Sequence, residues 1–266
     1  MEVPENPDKA APVAAGAEPA RRRVTRSTPL LVAAVVVLVL VILAVAWHRS
    51  SSRATVSATS TQYGAAGVSS VELDGINGTL AVGVGNSSEV SATAQPVDGR
   101  GAPGLTFHWN SATHVLALQC SDSNGGGAVA VPCPASTYAV LVPAHVGVTL
   151  REMSGQAHLV GLSGPVSITA SSADTTVQGL RSADFTAAIT SGTLKATFAT
   201  APTHVLVSVI SAQASLDFPA SASTSYDVIE RTVSADIQVA IPQSSTSTRT
   251  VQVAATSGEI SLGTSS

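Results

Sequence analysis

Six dipeptides constrain this chain more than anything else in it. Ser154-Gly155, Ser172-Ala173, Ser191-Gly192, Ser211-Ala212, Ser234-Ala235 and Ser257-Gly258 recur at spacings of 18, 19, 20, 23 and 23 residues. Each sits between two short β-prone runs, as in Val148-Thr149-Leu150 before the first dipeptide and Ala157-His158-Leu159-Val160 after it. A repeat of this length without helical periodicity demands repetitive β-structure. Each run offers only two or three inward apolar side chains, so a unit must stack on its neighbours to gain a core. The pattern therefore predicts an all-β fold, a parallel β-solenoid or rolled parallel-type sheet, with a β-sandwich of similar strand count as the alternative. Ser and Gly suit sharp corners. The Ala in three dipeptides implies that Gly is not strictly required there for a positive φ.

Upstream of the repeats the runs are shorter. Val71, Leu73 and Ile76 precede Asn77-Gly78, and Leu80, Val82 and Val84 follow it, which reads as a hairpin with a tight two-residue turn. Val115-Leu116-Ala117-Leu118 and Tyr138-Ala139-Val140-Leu141-Val142 are further strand candidates.

The first fifty residues supply an address. Residues 1–28 are polar and rich in Pro and Ala, and read as a disordered cytoplasmic N-terminus. Leu30 to Trp47 contains no charged or strongly polar side chain, and as a helix this run spans roughly 27 Å, near the hydrocarbon thickness. Lys9, Arg21, Arg22, Arg23 and Arg26 precede it, against Arg49 and Arg53 after it. The positive-inside rule places the N-terminus in the cytoplasm and the rest outside. The expected organisation is a single transmembrane anchor helix over 29–48, a flexible spacer over 49–67 and an extracytoplasmic β-repeat domain over 68–266. A signal peptide cleaved after Ala46 is the competing reading, since Ala44-Val45-Ala46 fits a small-x-small site. Against it, the apolar run and the segment before it are both long.

Composition narrows the function classes. Charged residues make up 11% of the 266-residue chain and aromatics 3%, so a nucleic-acid binder, with its basic face and aromatic platforms, is not expected. Residues 50–266 hold thirteen acidic and seven basic side chains, a net charge of −6. Two cysteines, Cys120 and Cys133, flank a Gly-rich stretch in the part placed outside. A disulfide there closes a loop of about 14 residues and contributes about 3 kcal/mol. Two isolated thiols make a poor metal site.

The order of features resembles the bacterial putative adhesin domain family, a domain of unknown function with repeated Ser-Gly-containing β-units. The similarity is carried by residues 71–80, by Val140-Leu141-Val142-Pro143, by Leu150 to Gly164 and by Ala240-Ile241-Pro242 with Ser257-Gly258-Glu259-Ile260. It covers about residues 68–264 and implies an envelope-associated, solenoid-like domain without catalytic residues to carry over. The Ser-Ala dipeptides and the cysteine pair depart from the family pattern.

Chemistry-bearing residues are scattered. None of the six histidines (His48, His108, His114, His145, His158, His204) has metal-ligand spacing. His108, Trp109 and His114 around Asn110 form either a small site or a strand end with its turn. Ser163 in Gly161-Leu162-Ser163-Gly164 reads as a turn residue, because the segment is one residue short of a nucleophile elbow. Asp174, Asp184, Asp217, Asp236, Glu152 and Glu259 recur near the dipeptides, and register decides whether they align. No cofactor or metal is expected. Two classes of function follow. One is a non-enzymatic, membrane-tethered module binding envelope polysaccharide, an envelope protein or a copy of itself. The other is an enzyme using paired carboxylates on polysaccharide. An envelope-stress signalling accessory is a further alternative.

Overall fold

A computed structural model describes residues 58–97, 101–121, 133–221 and 223–265. The expected disordered segment and membrane anchor lie outside the described residues. Among those described, no helix is long and apolar enough to cross a membrane. The described chain is all-β. Its strands are β1 (Thr59–Gly64), β2 (Ser70–Asp74), β3 (Ile76–Val84), β4 (Glu89–Pro96), β5 (Gly104–Asn110), β6 (Val115–Ser121) and β7 (Cys133–Val142). The long strands follow: β8 (Gly147–Val160), β9 (Val166–Leu180), β10 (Asp184–Phe198), β11 (His204–Pro219), β12 (Asp227–Val239) and β13 (Thr250–Ser265). Strand β1 falls within the stretch expected to be spacer, so regular structure begins before residue 68.

Each long strand carries one of the six dipeptides near its middle, and burial changes phase there. On β10, Phe185, Ala187 and Ile189 are buried before Ser191-Gly192, and Leu194, Ala196 and Phe198 after it. The inward residues pass from odd to even numbers, which keeps apolar side chains facing one continuous core on both arms. The strand also folds back at that point. Phe185 and Phe198 stand at its two ends, yet their ring centroids are 5.6 Å apart. A straight strand would separate them by roughly 43 Å. The two β-prone runs of each unit are thus arms of one bent strand. They pair with the matching arms of adjacent strands, not with one another across the dipeptide.

All neighbouring long strands are parallel and in register, with Ser on Ser at every corner: Ser154, Ser172, Ser191, Ser211, Ser257 and Ser234. Their spatial order differs from chain order, because β13 lies between β11 and β12. The corner residues accordingly read Gly155, Ala173, Gly192, Ala212, Gly258, Ala235 across the sheet. Gly and Ala alternate strictly in space, although two Ala corners are consecutive in sequence. The glycines adopt positive φ, as at Gly192 (φ 107°), whereas among the described residues the only others with positive φ are His114 and Glu152. The expectation of positive φ at the Ala corners is therefore corrected: these corners turn without it.

The stack continues beyond β8 through split strands. Strands β2 and β3 pair with the first and second arms of β8, and β6 and β7 pair with β2 and β3. Asn77-Gly78 is consequently no hairpin turn. Asn77 aligns with Ser154 and Gly78 with Gly155, so the Asn-Gly pair takes the corner role, with Gly78 at φ 102°. Between β6 and β7 the corner is interrupted, and the Cys120–Cys133 disulfide joins the two arms instead, with a Cα–Cα distance of 5.1 Å. Antiparallel strands cap this end, β5 on β6, β4 on β7 and β1 on β4.

Apart from Tyr138, which is buried on β7, the aromatic residues among those described gather in two places. Tyr63, Phe107 and Trp109 meet at the antiparallel cap, with Tyr63 stacked on Trp109 at 6.1 Å. Phe185, Phe198, Phe218 and Tyr226 form a chain of ring contacts through the long strands at 4.9–5.6 Å. Val, Leu, Ile and Ala fill most of the remaining core.

Candidate binding surface

Strict register turns scattered outward residues into columns. On the second arm, the first column reads Gln156, Asp174, Thr193, Gln213, Glu259, Asp236. The next outward column reads His158, Thr176, Lys195, Ser215, Ser261, Gln238. Successive members lie one strand spacing apart, about 4.8 Å. Thr193 donates its hydroxyl to Asp174 at 2.8 Å and Gln238 donates to Asp236 at 3.1 Å, so the columns are partly self-bonded. A surface depression opens between them, with Thr193, Lys195, Gln213, Ser215, Glu259 and Ser261 around it. A second depression adjoins it at the corner, where Gly192 and Gly258 leave room beside Ser211 and Ser257.

The six acidic candidates divide. Asp174, Glu259 and Asp236 share a column, and Glu259 and Asp236 are direct neighbours. Asp174 stands three strand spacings from Glu259, about 14 Å. Asp184 belongs to another column at the start of the first arm, beside His204. Asp217 lies near the end of the second arm beside Thr197, and Glu152 occupies an irregularity of β8 at φ 49°. Three carboxylates do not converge, and among the described residues no three His, Cys, Asp or Glu side chains are placed to hold a metal.

The remaining candidates are structural. The Asn110 carboxamide accepts hydrogen bonds from the amides of Ala112 and Thr113 at 3.0 and 3.3 Å, which organises the β5–β6 turn. Trp109 packs edge-on against His114 at 5.8 Å. His158 is exposed on β8, and the Ser163 hydroxyl donates to the Ala144 carbonyl at 2.7 Å in a turn. The Lys195–Gln213–Glu259 surface escaped sequence reading. The sequence pattern did not single out Lys195, because Gln213, Ser215, Glu259 and Ser261 lie 18 to 66 residues further along the chain. Only the position of β13 beside β11 assembles it.

No family model and no curated protein matches the chain. Among solved structures, it is similar to a putative cell adhesion protein from Clostridium sporogenes, with a TM-score of 0.44 and 9% identity over 79% of this chain and 99% of that one. It is also similar to a putative adhesin from Bacteroides fragilis, with a TM-score of 0.37 and 10% identity over 77% of this chain and 97% of that one.

Proposed function

We propose that this chain is a single-pass, membrane-anchored protein of the cell envelope whose extracytoplasmic domain is a non-enzymatic, adhesin-like binding module. The anchor is the apolar run from Leu30 to Trp47, with the N-terminus in the cytoplasm. The stacked bent strands are read as a solenoid of the putative adhesin type, a form that offers long flat faces to a ligand. The observation that supports binding best is the paired polar columns flanking the Lys195–Glu259 depression. They repeat hydroxyl, amide and charged groups at about 4.8 Å, a spacing suited to an extended polyhydroxylated chain such as an envelope glycan. The depression is lined by Glu259 but by no second carboxylate, whereas glycoside hydrolysis uses a pair flanking the scissile bond, which favours binding over hydrolysis.

The test uses the full-length protein in detergent against a panel of wall glycans, beside a pull-down from envelope fractions. Saturable glycan binding that is lost in Lys195→Glu and Ser261→Tyr supports the reading. Saturable binding to nothing in either set overturns it, as does binding unaffected by both substitutions.

A further inference from the structure

The two ends of the stack finish differently. One core-facing column runs through nine strands as Phe107, Leu118, Leu73, Leu150, Ile168, Ala187, Val207, Val253 and Glu230. Eight members are apolar, and the ninth is a carboxylate. At the Phe107 end, antiparallel strands and the Tyr63–Trp109 stack close the core. At the other end, among the described residues, β12 pairs only with β13. Its core-facing Val228, Ala235, Ile237 and Val239 are only half-buried, and Val233 is 80% exposed. Such an edge is an open template for another strand.

We infer that Glu230 is the residue that ends the stack, closing the β12 edge to a second copy of this chain. A strand added there would cover Glu230 in line with Val253, leaving a carboxylate buried without a partner. Other features act in the same direction. Strand β12 also carries Asp227, Arg231 and Asp236, whereas β9, β11 and β13 carry one charge each. The Pro242–Ser244 segment covers the start of the edge: the Tyr226 amide donates to Pro242 and its carbonyl accepts from Ser244, both at 2.9 Å. Beyond Tyr226 that cover ends. The Asp227 amide donates to Arg249, on the β13 side, so the alternating amides of Val228, Glu230 and Thr232 point toward the open side. Only Glu230 guards the core-facing surface of that stretch. This inference stands independently of the glycan reading, since Glu230 lies on the opposite face of the sheet from the outward columns.

Sedimentation of the full-length protein in detergent tests it, with hydrogen exchange to locate the contact. Relative to the native chain, Glu230→Val is expected to self-associate about tenfold more tightly, and the Val228 and Thr232 amides to gain protection. Placing the carboxylate one inward position away, in Val228→Glu with Glu230→Val, is expected to restore the native state of association. Glu230→Thr carries the same test should Glu230→Val not fold. Native-like association of a folded Glu230→Val or Glu230→Thr chain overturns the inference, as does a native chain already associated through β12.

Discussion

Gly192 lies so close to Ala173 that a β-carbon built on it would fall well inside contact distance of the Ala173 carbonyl oxygen. The obstacle is backbone, which cannot swing aside as the tip of a flexible side chain can. Gly192 also holds a φ of 107° that side-chain-bearing residues rarely adopt. Gly192→Ala is therefore expected to cost about 3 kcal/mol from backbone strain and overpacking together. The reverse change next door, Ala173→Gly, should cost only about 1 kcal/mol, since Ala173 has no such requirement. Denaturant unfolding of both variants checks the pair, and equal losses would show that the corners are interchangeable.

Thr175 is fully buried between Ala157 and Leu194 in an otherwise apolar column, and its hydroxyl has no hydrogen-bond partner. Val has nearly the same shape without the stranded polar atom. Thr175→Val is expected to raise stability by about 1 kcal/mol. A lower unfolding midpoint would mean that the hydroxyl has a partner after all, such as a buried water.

The disulfide substitutes for a corner. Both cysteines are buried, and the bridge ties together β6 and β7 at the place where other strands bend through a dipeptide. Cys120→Ala with Cys133→Ala should lose about 3 kcal/mol by the loop-closure argument. The check is the unfolding midpoint of the double variant beside that of the native chain with and without reductant. A loss well under 1 kcal/mol would show that the strand ladders alone hold this corner.

Much of this architecture was legible in the repeat. The six dipeptides between β-prone runs made a stacked all-β fold legible, but not its register, because their spacing drifts from 18 to 23 residues. What the sequence pattern could not carry was strand order. Nothing in residues 211–258 says that Ser257 inserts between Ser211 and Ser234, because the choice depends on contacts between corners distant in sequence. The Asn77-Gly78 misreading has a related cause. The dipeptide permits a positive φ in a hairpin and in a corner alike, and only its alignment with Ser154-Gly155 separates the two. The surface around Lys195 was illegible for the same reason as the strand order that builds it.

Tyr226 closes the chain of aromatic contacts, 4.9 Å from Phe218, and its buried hydroxyl has no hydrogen-bond partner. Burial raises its pKa above the ordinary phenol value, with Arg249 opposing the shift in part. Tyr138 is shifted the same way by burial, against a smaller contribution from Ser136. A phenol that ionises less readily when folded leaves stability intact below the unfolded value of about 10. Above it the unfolded chain releases its protons first, so stability falls as pH rises through the folded-state values. Unfolding free energy should therefore hold steady between about pH 8 and 9.5 and decline above about pH 10. Tyr226→Phe keeps the ring contacts and removes the unpartnered hydroxyl, so at neutral pH it should match or slightly exceed the native chain. At alkaline pH its decline should be shallower, with Tyr138 supplying part of the remaining slope. Denaturant titrations of both proteins at about pH 8 and about pH 10.5 decide it. Parallel declines would mean that Tyr226 ionises as readily in the folded chain as in the unfolded one.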